Sequence, residues 1–93
     1  MRVYMQRKSD TKSDDSTSVA QKIKSPEDLG GFIRNQRNLQ KISQADIVGL
    51  ANIGNRFIVD LEKGKPTIQL QKALNVIDLL GLELIIQQKT LSK

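Results

Sequence analysis

Residues 43–67 read SQADIVGLANIGNRFIVDLEKGKPT, from Ser43 to Thr67. Ser43 has the side chain of a helix N-cap, and Asp46 adds a favourable charge in the first turn of a helix running from Gln44 to about Ala51. Ile47, Val48 and Ala51 fall on one face of that helix. Asn52 follows where the chain must turn through a left-handed residue, and Ile53 supplies an apolar plug for the turn. A second helix covers Asn55 to about Lys63, with Ile58 and Leu61 inward and Gly64 as its stop. Two short helices joined by a tight turn make a helix-turn-helix unit.

Working outward, Ser25-Pro26-Glu27-Asp28 is a strong helix start. Ser25 is the expected cap, Pro26 fits the first helical position, and two carboxylates face the positive helix end. Leu29, Phe32 and Ile33 give this helix its inward stripe, to about Asn38. Downstream, Thr67 is read as the cap of a fourth helix to about Leu80, with Leu70, Leu74, Ile77 and Leu80 inward and Gly81 at its end. Leu82, Leu84 and Ile86 then alternate with polar residues, which suits a strand; a frayed helical extension is the other reading. A lone strand leaves open edges. A second copy of it would fill them, making Leu82, Leu84, Ile85 and Ile86 dimerisation residues, with Val19–Lys24 extended alongside.

The expected fold is therefore all-α, four to five helices with a short C-terminal strand paired across a homodimer. Residues 1–18 are rich in Ser, Thr, Asp, Lys and Arg and read as a disordered tail; nothing before Met5 carries a structural signal, so Met5 would serve as a start. Residues 19–88 form the folded domain and residues 89–93 a flexible tail. Ninety-three residues suffice for one small domain, and one this size often gains stability by pairing with a copy of itself. There is no cysteine, and no apolar run has the length of a membrane span, so the expectation is a soluble, cytoplasmic protein.

Net charge is +5. Between Arg34 and Lys65 six basic residues (Arg34, Arg37, Lys41, Arg56, Lys63, Lys65) face Asp46, Asp60 and Glu62, a balance that suits a polyanion or an ordinary solvated surface. Catalysis is disfavoured: His and Cys are absent, so the usual bases, nucleophiles and transition-metal ligands are missing, and no cofactor or metal site is expected. Gly64-Lys65-Pro66-Thr67 lacks the upstream glycine of a phosphate-binding loop, because Val59 stands there.

In a helix-turn-helix the start of the second helix reaches base edges in the major groove of DNA. Here those residues are Asn55 and Arg56, types suited to adenine and guanine; a phosphate contact is the other reading of Arg56. Ser43 and Gln44 open the preceding helix and can meet a phosphate, although Ser43 caps first. Lys63 and Lys65 are backbone contacts or solvated charges. Phe57 either presses a thymine methyl or packs on a neighbouring helix, and packing is favoured. Glu62 should pair with Arg37 or Arg34, and Asp60 is an exposed, weak acceptor for a cytosine amine.

Ile42 to Lys65 resembles the Xre/Cro-repressor type of helix-turn-helix, matching at Ile42, Ser43, Gln44, Ile47, Ile53, Ile58, Leu61, Glu62, Gly64 and Lys65. It departs at Val48, Asn52 and Gly54, where that family has Ala, Gly and a capping Ser. From Ala20 to Gln88 the chain is similar to HipB-type antitoxins, notably in Ala20–Pro26, Asn55–Glu62, Gly64–Thr67 and Leu80–Leu82. The resemblance implies a lambda-repressor-like fold, a homodimer joined partly through C-terminal strands, and a palindromic operator in its own promoter. It also implies a HipA-type Ser/Thr kinase toxin as partner. A stand-alone regulator of the same fold is the alternative.

Overall fold

In the computed structural model, which describes residues 1–7 and 20–88, the order of elements is β1 (Arg2–Arg7), β2 (Gln21–Lys22), α1 (Pro26–Leu39), α2 (Gln44–Ala51), α3 (Asn55–Lys63), α4 (Leu70–Leu79) and β3 (Leu82–Gln87). The first helix begins as its sequence dictates. Ser25 Oγ accepts from the Asp28 N–H at 3.0 Å, and the Asp28 carboxylate accepts from the Lys24 N–H at 2.9 Å. The start of α2 is tied in both directions: Ser43 Oγ accepts from the Asp46 N–H and the Ser43 N–H donates to Asp46 Oδ2, each at 3.0 Å. Those bonds hold the Asp46 carboxyl below the usual carboxylate range.

Two glycines fix how α1 meets α3. A Cβ on Gly30 would overlap the Leu61 and Glu62 carbonyls, so α1 crosses α3 closely there. Gly64 ends α3 at φ 86°, and a Cβ on it would lie 2.7 Å from Glu27 Cα. Gly30→Ala is therefore expected to destabilise by about 3 kcal/mol, because backbone atoms cannot step aside. Its neighbour Gly31 is exposed with nothing near its missing Cβ. Gly31→Ala should stabilise by about 0.5–1 kcal/mol through helix propensity. Urea unfolding of the two variants checks the pair.

One core joins helices and sheet: Met5, Phe32, Ile33, Ile47, Ile53, Ile58, Leu61, Ala73, Val76, Ile77, Leu80 and Leu82. The Gln40 side-chain amide donates to the Leu80 carbonyl at 2.8 Å, tying the end of α1 to the end of α4. Among the described residues no helix is long and apolar enough to cross a membrane.

The structure corrects three expectations. Among the described residues the fold is four helices with a three-stranded antiparallel sheet of order β2-β1-β3, not an all-α domain with one lone strand. Arg2–Arg7, read as part of the disordered tail, is the central strand; Met5 lies opposite Gln21 on one side and Leu84 on the other, fully buried. Residues 8–19 and 89–93 lie outside the described residues, so the rest of the tail assignments do too.

The C-terminal strand thus has a partner within its own chain, with Arg2 opposite Gln87 through to Arg7 opposite Leu82. Of the residues read as dimer contacts, Leu82 is buried in the chain's own core, Leu84 and Ile85 are half-buried, and Ile86 is 59% exposed. The far edge of β3 pairs with no other described strand.

Finally, α4 starts at Leu70 with Gln69 as its cap residue, not at Thr67. Ile68 packs half-buried against the core, which keeps the chain irregular after Pro66 for several residues more. The inward stripe is Ala73, Val76, Ile77 and Leu80, while Leu74 is half-buried and Leu70 is 64% exposed.

Candidate nucleic-acid interface

Helix α2 ends at Asn52, whose φ of 55° and ψ of 51° place it in the left-handed region. Its N–H bonds the Val48 carbonyl, and so does the Ile53 N–H at 3.3 Å. Ile53 is buried and pins the turn to the core. Gly54 is extended and opens α3 without a side-chain cap, and no acidic residue stands in the first turn of α3. The N-terminal N–H groups of α3 therefore lack the side-chain acceptor that caps α1 and α2.

Helix α3 divides by burial. Ile58, Leu61 and Glu62 are buried. Asn55, Arg56 and Lys63 are exposed, and Val59 and Asp60 are half-buried between them on the same helical face. That face carries the two expected base readers and one expected phosphate contact. Val59 joins them, although it was not singled out in the sequence; its i+4 spacing from Asn55 is the signal that marks it. An apolar side chain there can contact a thymine methyl.

The helix is held by a buried charge network. Arg37 of α1 donates to Glu62 through Nε at 2.7 Å and Nη2 at 3.0 Å, and through Nη1 to the Ile42 carbonyl at 2.8 Å. The two side chains are only 11% and 4% exposed. Donating to Glu62 raises the Arg37 pKa further, against the opposing effect of burial. Of the two partners weighed for Glu62, the structure selects Arg37.

Gln44 differs from its expected phosphate role in one respect: its side-chain amide donates to Glu62 Oε1 at 3.0 Å. It thus links the start of α2 to the last turn of α3. Arg34, Arg37, Gln44, Val59, Glu62 and Lys63 together line a shallow pocket of about 440 Å³. Arg34 and Lys63 are exposed cations beside it, and Arg34 is a further candidate phosphate contact that charge counting alone did not single out.

Phe57 lies off the exposed face. It is half-buried against the core, and the Lys72 ammonium sits 5.9 Å from its ring centroid. Packing is its role in this structure, as the sequence favours. Ser43 is engaged as a cap. Asp60, expected to be exposed and open, instead accepts from Arg56 Nε at 3.2 and 3.3 Å and lies 3.6 Å from Lys65 Nζ. Among the described residues no group of three His, Cys, Asp or Glu side chains could hold a metal ion.

No protein-family model matches the chain. A relative does: over 63 residues the chain is 48% identical to the uncharacterized HTH-type transcriptional regulator y4mF of Sinorhizobium fredii (strain NBRC 101917 / NGR234). The match covers 68% of this chain and 83% of that protein. With a helix-turn-helix built by α2 and α3 and a relative this similar, the chain belongs to the family of HTH-type transcriptional regulators.

Proposed function

We propose that the chain is a sequence-specific DNA-binding repressor that acts as a homodimer on a palindromic operator in its own promoter. The observation that carries this reading is the exposed face of α3, with Asn55, Arg56, Val59 and Lys63 presented on a helix clamped from behind by Arg37, Glu62 and Gln44. In this reading Asn55 and Arg56 read bases, and Arg34, Ser43, Gln44, Lys63 and Lys65 are the proposed phosphate contacts. The outer edge of β3, with Ile86 exposed, is the surface by which a second copy extends the sheet. Cytoplasmic location follows from work on DNA, and no cofactor is called for.

Salt dependence tests the DNA reading directly. A dimer making about six phosphate contacts should lose roughly 10³-fold in affinity for duplex DNA between 50 and 200 mM salt, through counterion release. A flat response would refute it.

The finer reading is an antitoxin of the HipB type that neutralises a HipA-type kinase, supported by the resemblance of Ala20–Gln88. Co-expression with a kinase-like reading frame adjacent in the genome tests it. Recovery of a stable complex supports the antitoxin, whereas failure to associate leaves a stand-alone regulator.

A further inference from the structure

Asp60 is out of place on a surface that meets DNA. Its charge repels phosphates, and it lies in the C-terminal half of α3, where the helix dipole disfavours an anion. Arg56, at the second position of α3, is likewise on the disfavoured end for a cation. A base followed four residues later by an acid is also the weaker order for a helical ion pair, and exposed pairs of this kind add little stability. Helix stability therefore does not explain the pair.

The geometry does. Arg56 Nε donates to both Asp60 oxygens, at 3.2 and 3.3 Å, while the Arg56 side chain as a whole is 85% exposed. The Asp60 side chain is only 18% exposed, and Lys65 Nζ lies 3.6 Å from its Oδ2. Its backbone is also fixed, since the Asp60 carbonyl accepts from the Gly64 N–H and from the Lys65 N–H, the latter at 3.0 Å. The carboxylate is thus a steady point that grips the guanidinium by one edge. Both Nη groups, carrying four of the five guanidinium N–H donors, stay free of intrachain bonds among the described residues. That is the donor pair needed for a guanine O6 and N7.

We infer that Asp60 is a positioning residue that sets the rotamer of Arg56 for base readout, with Lys65 holding Asp60 in turn. The inference rests on Arg56 reading a base, as proposed above. A long arginine freed of this contact can reach either a base or the nearest phosphate, so the acid exchanges some overall affinity for discrimination.

The test uses the full chain and a duplex that it enriches from a randomised library, together with single base-pair variants of that duplex. Arg56→Ala first identifies the position that Arg56 reads. Asp60→Asn should then cut discrimination at that same position by about tenfold, close to the loss in Arg56→Ala, while affinity for scrambled duplex rises. Asp60→Glu, which keeps a carboxylate within reach, should restore most of the discrimination. The Arg56→Ala/Asp60→Asn pair should lose no more at that position than Arg56→Ala alone. If Asp60→Asn changes affinity equally for every duplex, Asp60 is only a repelling charge and the inference is wrong. If Arg56→Ala itself leaves every position unchanged, the base-reading role of Arg56 fails, and the positioning role fails with it.

Discussion

Glu62→Ala is expected to lower the free energy of unfolding by about 3–5 kcal/mol. For a domain this small that is most of the stability available, so much of the chain should be unfolded at 25 °C. Truncation leaves the Arg37 guanidinium, 11% exposed, without the acceptors for its Nε and Nη2. Gln44 loses its acceptor as well. The loss follows from stranding a buried charge more than from the attraction itself. Replacing both partners by apolar residues, Arg37→Met with Glu62→Leu, should therefore recover most of it. Urea unfolding followed by circular dichroism distinguishes the cases. If Glu62→Ala costs no more than an exposed surface change, α3 is not anchored through this network.

Arg56→Ala has the second large effect, and it falls on recognition instead of folding. The side chain is 85% exposed and its one partner among the described residues is Asp60, so the variant should unfold like the parent. Loss of a bidentate guanine contact should remove about 1–3 kcal/mol of discrimination at one base position in each half-site. Lys63→Ala gives the contrast: it should weaken binding evenly across sequences and reduce the salt dependence by about one counterion. Equilibrium titration against single base-pair variants separates the two patterns. An even loss for Arg56→Ala would make it a phosphate contact.

Most of the helix-turn-helix unit could be read from local chemistry. Ser25, Ser43, Asn52 and Gly64 each impose a boundary through their own backbone or side-chain preferences, and α2 and α3 have the limits these residues dictate. The Glu62 pairing was foreseeable because an acid on an otherwise buried helical face needs a base. What sequence left unread depends on distant partners. Val3 and Met5 alternate with polar and aromatic neighbours, but such a weak strand pattern becomes a strand only when β3 and β2 flank it, more than a dozen residues away. Thr67 is a good cap by type, yet α4 starts three residues later, with Ile68 packed against the core before it. The Arg56–Asp60 contact is legible in the sequence only as an i,i+4 spacing, which does not by itself favour pairing over an exposed acid.

The proposed dimer has a defined geometry to satisfy. With β1 covering one side of β3, a second copy that adds to the sheet at β3 uses its other edge, and one that does not uses another surface such as a helix face. Either arrangement must set the two copies of α3 about 34 Å apart, or a multiple of it, to enter successive major grooves.

Selection of bound duplexes from a fully randomised DNA library by the wild-type chain is the most direct measurement. It should return an inverted repeat whose half-sites lie about 10 base pairs apart, centre to centre, and whose preference at one position of each half-site disappears in Arg56→Ala. Recovery of a library with no shared sequence would contradict base readout by α3.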